Sequence, residues 1–89
     1  MATEELWVSS GTNALVHGLR LGVRWVDGGD ATASVVVHDP GPDAGPDVSS
    51  VLGVGESMTA HGYAVTLAEV GEGRVRPAAR FVVAAAGAP

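Results

Sequence analysis

The 89-residue chain contains neither cysteine nor lysine. The first absence excludes disulfides, thiolate metal sites and cysteine nucleophiles, so stability has to come from packing. The second leaves arginine to supply all five basic residues, at Arg20, Arg24, Arg74, Arg76 and Arg80. Arginine alone, beside abundant alanine, glycine, valine and proline, is the habit of a GC-rich genome, and it weakens the alanine and glycine content as structural evidence. No run approaches the roughly 18 apolar residues of a membrane-spanning helix. The opening Met-Ala-Thr-Glu-Glu does not lead into the apolar stretch of a secretory signal. A cytoplasmic protein without membrane contact is expected. Positive charge is scarce as well, with a net charge of −5. Phosphate backbones are bound by net basic surfaces, so nucleic acid is not an expected partner.

What is present is alternation. The length supports one domain with a single modest core, expected to span about 5–83, and a margin of stability that dimerisation would widen. Leu6 to Ser10 reads as a short strand. From Asn13 to Val26 the odd positions Leu15, Leu19, Leu21, Val23 and Trp25 are apolar, which predicts one long strand with a buried face and places His17 on that face. Asp27-Gly28-Gly29-Asp30 supplies hairpin turn chemistry before a second arm from Ala31 to His38. Asp39 to Asp47 holds three prolines and three aspartates, so it cannot be a central strand and is expected to be a flexible loop. Extended segments follow at Val48 to Val54, Ser57 to Ala60, Tyr63 to Val70 and Arg74 to Val83, with Ala84 to Pro89 as a frayed tail. Phe81-Val82-Val83 after Pro77 favours a strand there over the helix that the alanines would permit. Six to seven short strands separated by glycine turns define an all-β fold, a small and mostly antiparallel β-sandwich or barrel.

The segments Leu19-Arg-Leu-Gly-Val-Arg-Trp-Val26, Val54-Gly-Glu-Ser57 and Gly62-Tyr-Ala-Val-Thr-Leu67 resemble uncharacterised small all-β proteins of actinobacteria. The likeness covers most of the chain. It implies a fold and a lineage, and it brings no catalytic residue with it.

Three constellations bear on chemistry. His17, His38 and His61 are enough imidazoles for a divalent metal with an open position. No two lie two apart on one strand, however, and His17 and His38 are expected on opposite faces, so no metal or other cofactor is predicted. His17 reads either as a hydrogen-bonded core histidine or as one wall of a pocket shared with Trp25 and Tyr63. The arginines form the second group. Arg20 and Arg24 share one face of the long strand, and Arg74, Arg76 and Arg80 share a face of the last one. If the two strands were neighbours, Arg20, Arg24, Arg76 and Arg80 would gather into an anion site, and otherwise they are solvated and paired with acids. The third group, the aspartates, is explained by turn geometry. Gly53-Val-Gly55-Glu-Ser57 superficially resembles a phosphate loop, but it lacks the lysine and the spacing.

No assembled active-site motif is present, and an enzyme is not the favoured reading. The expected function is that of a non-catalytic protein-interaction or scaffold module, homodimeric or bound to a protein partner. The alternative is a small barrel that binds or cyclises a hydrophobic metabolite in a pocket lined by His17, Trp25 and Tyr63.

Overall fold

The computed structural model describes residues 3–43, 45–72 and 76–86. Eight strands run in order: β1 (Thr3–Ser9), β2 (Asn13–Val16), β3 (Leu19–Asp27), β4 (Thr32–His38), β5 (Val48–Gly53), β6 (Ser57–Ala60), β7 (Tyr63–Gly71) and β8 (Ala78–Ala85). They form two four-stranded antiparallel sheets, one ordered β1-β8-β7-β6 and the other β2-β3-β4-β5. We call them sheet A and sheet B. The fold is all-β, and two separate sheets around one core make it a sandwich rather than a closed barrel. Among the described residues, no helix is long and apolar enough to cross a membrane.

Alternation builds the core. Leu19, Leu21 and Val23 from β3, and Ala33, Val35 and Val37 from β4, point inward toward Val65 and Leu67 of β7 and Ala79, Phe81 and Val83 of β8. All of these are buried, and Phe81, the largest of them, lies opposite Leu67 on one side and Leu6 on the other. Burying each such side chain contributes roughly 1.5 to 3 kcal/mol.

The expected long strand from Asn13 to Val26 is two strands. His17-Gly18 forms a two-residue hairpin turn with positive φ at both positions, 51° and 77°. This is the geometry of the tight turn that matches strand twist. The turn resets the phase of the alternation. Val16 is buried at 3% exposure, whereas Leu15 stands out at 69%. A second shift follows at Arg24, where a bulge between Val23 and Trp25 turns Trp25 to the outer face at 44% exposure. The extra turn raises the count from the expected six or seven strands to eight. The last strand begins at Ala78 and continues to Ala85, into the segment expected to fray, while residues 73–75 and 87–89 lie outside the described residues. In the connection from β4 to β5, Asp39 accepts a hydrogen bond from the Gly41 amide and Asp47 reaches His38.

The two sheets are built from two equivalent halves. Mapping β1, β2, β3 and β4 onto β5, β6, β7 and β8 turns the order of sheet A into that of sheet B. Each half therefore supplies three strands to one sheet and its first strand to the other. The correspondence extends to detail. His61-Gly62 repeats His17-Gly18, with φ of 50° and 85°. The bulge between Leu67 and Glu69 repeats the one at Arg24. Gly11 N–H donates to Val23 O and Val23 N–H to Thr12 O, just as Gly55 N–H donates to Leu67 O and Leu67 N–H to Glu56 O. The Ser10 amide bonds Pro77 O as the Val54 amide bonds Ala31 O.

Candidate interaction surface

The outer face of sheet B consists of rows of side chains fixed by strand register. At the end near the His17-Gly18 turn, Leu15, Arg20 and His38 lie side by side across β2, β3 and β4. The next row is Asn13, Gly22, Val36 and Ser49, and beyond the bulge come Trp25, Ser34 and Val51. Ser34 faces outward yet is only 7% exposed, because the larger Trp25 and Val51 flank it.

Asn13, Arg20, Gly22, Val36, His38 and Asp47 line an open depression of about 380 Å³ on this face. Asp47, just ahead of β5, accepts from Nδ1 of His38 at 2.6 Å, with both side chains about half exposed. Among the described residues, neither Arg20 nor Arg24 has a carboxylate within ion-pairing distance.

Sheet A presents a different outer face. Arg80 on β8 reaches Glu5 on β1 and Glu69 on β7, so one guanidinium is held between two carboxylates. Trp7 lies opposite Arg80 in the register and is half exposed. Arg76 donates to the Ser10 carbonyl oxygen at 3.2 Å. The four arginines considered as an anion site are therefore not brought together. Arg20 and Arg24 belong to sheet B and Arg80 to sheet A, because β3 and β8 lie in different layers.

His17 and Tyr63 do meet. Their rings stack with centroids 4.9 Å apart and planes 13° from parallel, joining the turn between β2 and β3 to the start of β7. Trp25 does not join them, since the bulge sends it to the outer face beside Ser34. Nε2 of His17 and Nε2 of His61 are both buried without a hydrogen-bond partner among the described residues. Among the described residues, no three histidines, aspartates or glutamates come close enough to hold a metal ion.

The free edges complete the surface. Sheet A ends in β1 and β6, and sheet B in β2 and β5. β2 and β6 have four residues each, which blunts them as pairing templates. β1 carries Glu4 and Glu5. β5, Val-Ser-Ser-Val-Leu-Gly, carries no charge and no proline, and Ser49, Ser50 and Val51 along it are exposed. Of the two long edge strands, β5 is the more open. Its exposure follows from strand order, which no local pattern encodes.

The chain matches no protein-family model, no curated protein and no solved structure.

Proposed function

We propose that the protein acts through protein contact rather than catalysis, as a homodimeric interaction module joined along β5. The observation that supports this reading is the contrast between the two long edge strands. β1 and β5 occupy equivalent places in the two halves, so the fold asks the same of both. β1 has glutamates where β5 has Val48 and Ser49. Charges on an edge strand oppose strand addition, and their absence leaves a row of backbone donors and acceptors open to a partner. A second copy offers the same uncharged strand, and antiparallel pairing of β5 with its mate closes the contact by two-fold symmetry. With a charge of −5 on each protomer, long-range repulsion opposes this pairing, so added salt strengthens it.

Light scattering on the intact protein at high micromolar concentration tests the proposal. The expected result is a dimer that weakens at low ionic strength. Ser49→Glu with Val51→Glu sets carboxylates opposite one another across a pair centred on Ser50, and should give a monomer with an unchanged far-UV spectrum. A wild-type monomer at every concentration, or a dimer that survives both substitutions, would overturn it.

A further inference from the structure

The two halves serve as each other's control. Wherever they occupy the same place in the fold with different residues, the folding requirement is shared and the difference calls for another explanation. One such difference lies in the depression on sheet B. Arg20 stands opposite His38 there, and the equivalent pair on sheet A, in the same register, is Ala64 opposite Ala84. Alanine on both strands is therefore sufficient for the sandwich at that position.

Gly22, in the middle of β3, points the same way. A glycine inside a strand is destabilising and is retained where the chain needs an unusual φ or a close approach. Gly22 has neither need, since its φ is not positive, and a Cβ there would sit 3.7 Å from Asn13 Cβ and 3.8 Å from the Val36 carbonyl oxygen, which is ordinary contact. Its counterpart is Thr66, whose hydroxyl hydrogen-bonds Ser57, the counterpart of Asn13, at 2.6 Å. One half closes this position with a threonine–serine pair, and the other leaves it open between an arginine, a histidine and an asparagine.

We propose that this depression binds a small oxyanion, the carboxylate or phosphate group of a small molecule. Arg20 supplies the charge and the planar pair of donors that such a group accepts. The Asn13 amide adds a neutral donor. Asp47, engaged with Nδ1 of His38, fixes the imidazole at the wall of the depression and leaves its other nitrogen for a second partner. Val36 and Gly22 form the apolar floor. This site uses the outer face of sheet B rather than the backbone edge of β5, and it goes beyond the dimer reading.

The test is a nuclear magnetic resonance titration of the intact chain, with inorganic phosphate and with acetate in turn, at constant ionic strength set by chloride. Saturable amide shifts confined to the neighbourhood of Asn13, Arg20, Gly22, His38 and Asp47 are expected with at least one anion, and the one that binds more tightly identifies the group. Arg20→Ala with His38→Ala copies the alanine pair that the other half already folds with, so its fold should persist while affinity falls at least about tenfold, as the loss of a charged hydrogen bond implies. Gly22→Thr should weaken binding while leaving Arg20 and His38 in place. Absence of saturable shifts with either anion, or shifts unchanged in both variants, would overturn the proposal.

Discussion

Replacing Gly18 or Gly62 by alanine tests the turn geometry and the internal symmetry together. Both glycines have positive φ, 77° and 85°, and at neither would an added Cβ meet a heavy atom of the described residues within 4 Å. The cost is therefore conformational and contains no clash. Holding an L-residue in the left-handed region costs about 1 to 2 kcal/mol. Loss of chain entropy in the unfolded state returns about 0.4 to 1 kcal/mol. The net expectation is a destabilisation of about 1 kcal/mol at each site. Gly28 is the matched control, with no heavy atom of the described residues within 4 Å of an added Cβ and no positive φ. Gly28→Ala should be neutral or slightly stabilising. Urea unfolding followed by far-UV circular dichroism reads the effect as a shift in midpoint at constant slope. Against the roughly 4 to 13 kcal/mol expected for a chain of this length, a change of about 1 is readily resolved. The reasoning is refuted if Gly28→Ala costs as much as the other two, or if Gly18→Ala and Gly62→Ala differ by more than about 1 kcal/mol.

Three further perturbations follow from the same geometry. Phe81→Ala removes the largest fully buried side chain among the described residues and should cost about 3 to 5 kcal/mol, and a loss under about 1 kcal/mol by urea titration would place the core elsewhere. Ala31, in the turn between β3 and β4, has a φ of 53°, so Ala31→Gly should stabilise by about 0.5 to 1 kcal/mol and raise the melting temperature by a few degrees, whereas a fall would refute the strain. Arg80→Ala breaks contacts to Glu5 and Glu69 at a partly exposed position and should cost less than about 1 kcal/mol, shrinking further at high salt, with calorimetry across ionic strength as the check.

The parts of the fold that were legible in the sequence are those with local causes. Leu19, Leu21 and Val23 alternate because one face of β3 is buried, and Asp27 to Asp30 turns because those residues favour it, with Asp27 accepting from the Gly29 and Asp30 amides. The turn that ends β2 leaves a weak signal, because His-Gly is not the Asn-Gly or Asp-Gly pair that marks such hairpins, and Leu15 continues the odd-position pattern across it. Trp25 was misplaced because a bulge leaves no mark on apolar periodicity. The repeat had a signal, His-Gly at 17–18 and again at 61–62, with Gly11 and Gly55 six residues before each histidine. Most other paired positions differ, so the symmetry is carried by backbone geometry. Of the depression, Arg20 was named from the sequence as a candidate. His38 had been considered for a metal, and Asn13 and Asp47 were not singled out, because their convergence depends on cross-strand register and on how the connection from β4 returns.

The exchange of first strands explains why the halves could diverge on their surfaces and not inside. Each sheet contains strands from both halves, so inner-face residues of either half pack against the other, and a change on one side has to be met by its neighbours. Leu21 and Val65, Val23 and Leu67, and Val35 and Phe81 are equivalent positions that remain apolar and buried. The outer faces have no such constraint. Trp25 in one half answers to Glu69 in the other, and Ser34, between Trp25 and Val51, answers to Arg80, between Glu69 and Trp7. Sheet A has consequently become a face whose arginine is satisfied by its own glutamates, while on sheet B Arg20 and Arg24 have no carboxylate at ion-pairing distance among the described residues. Arginines with no carboxylate at ion-pairing distance among the described residues and an uncharged edge at β5 both belong to sheet B, so the two proposals made for this chain fall on the same layer.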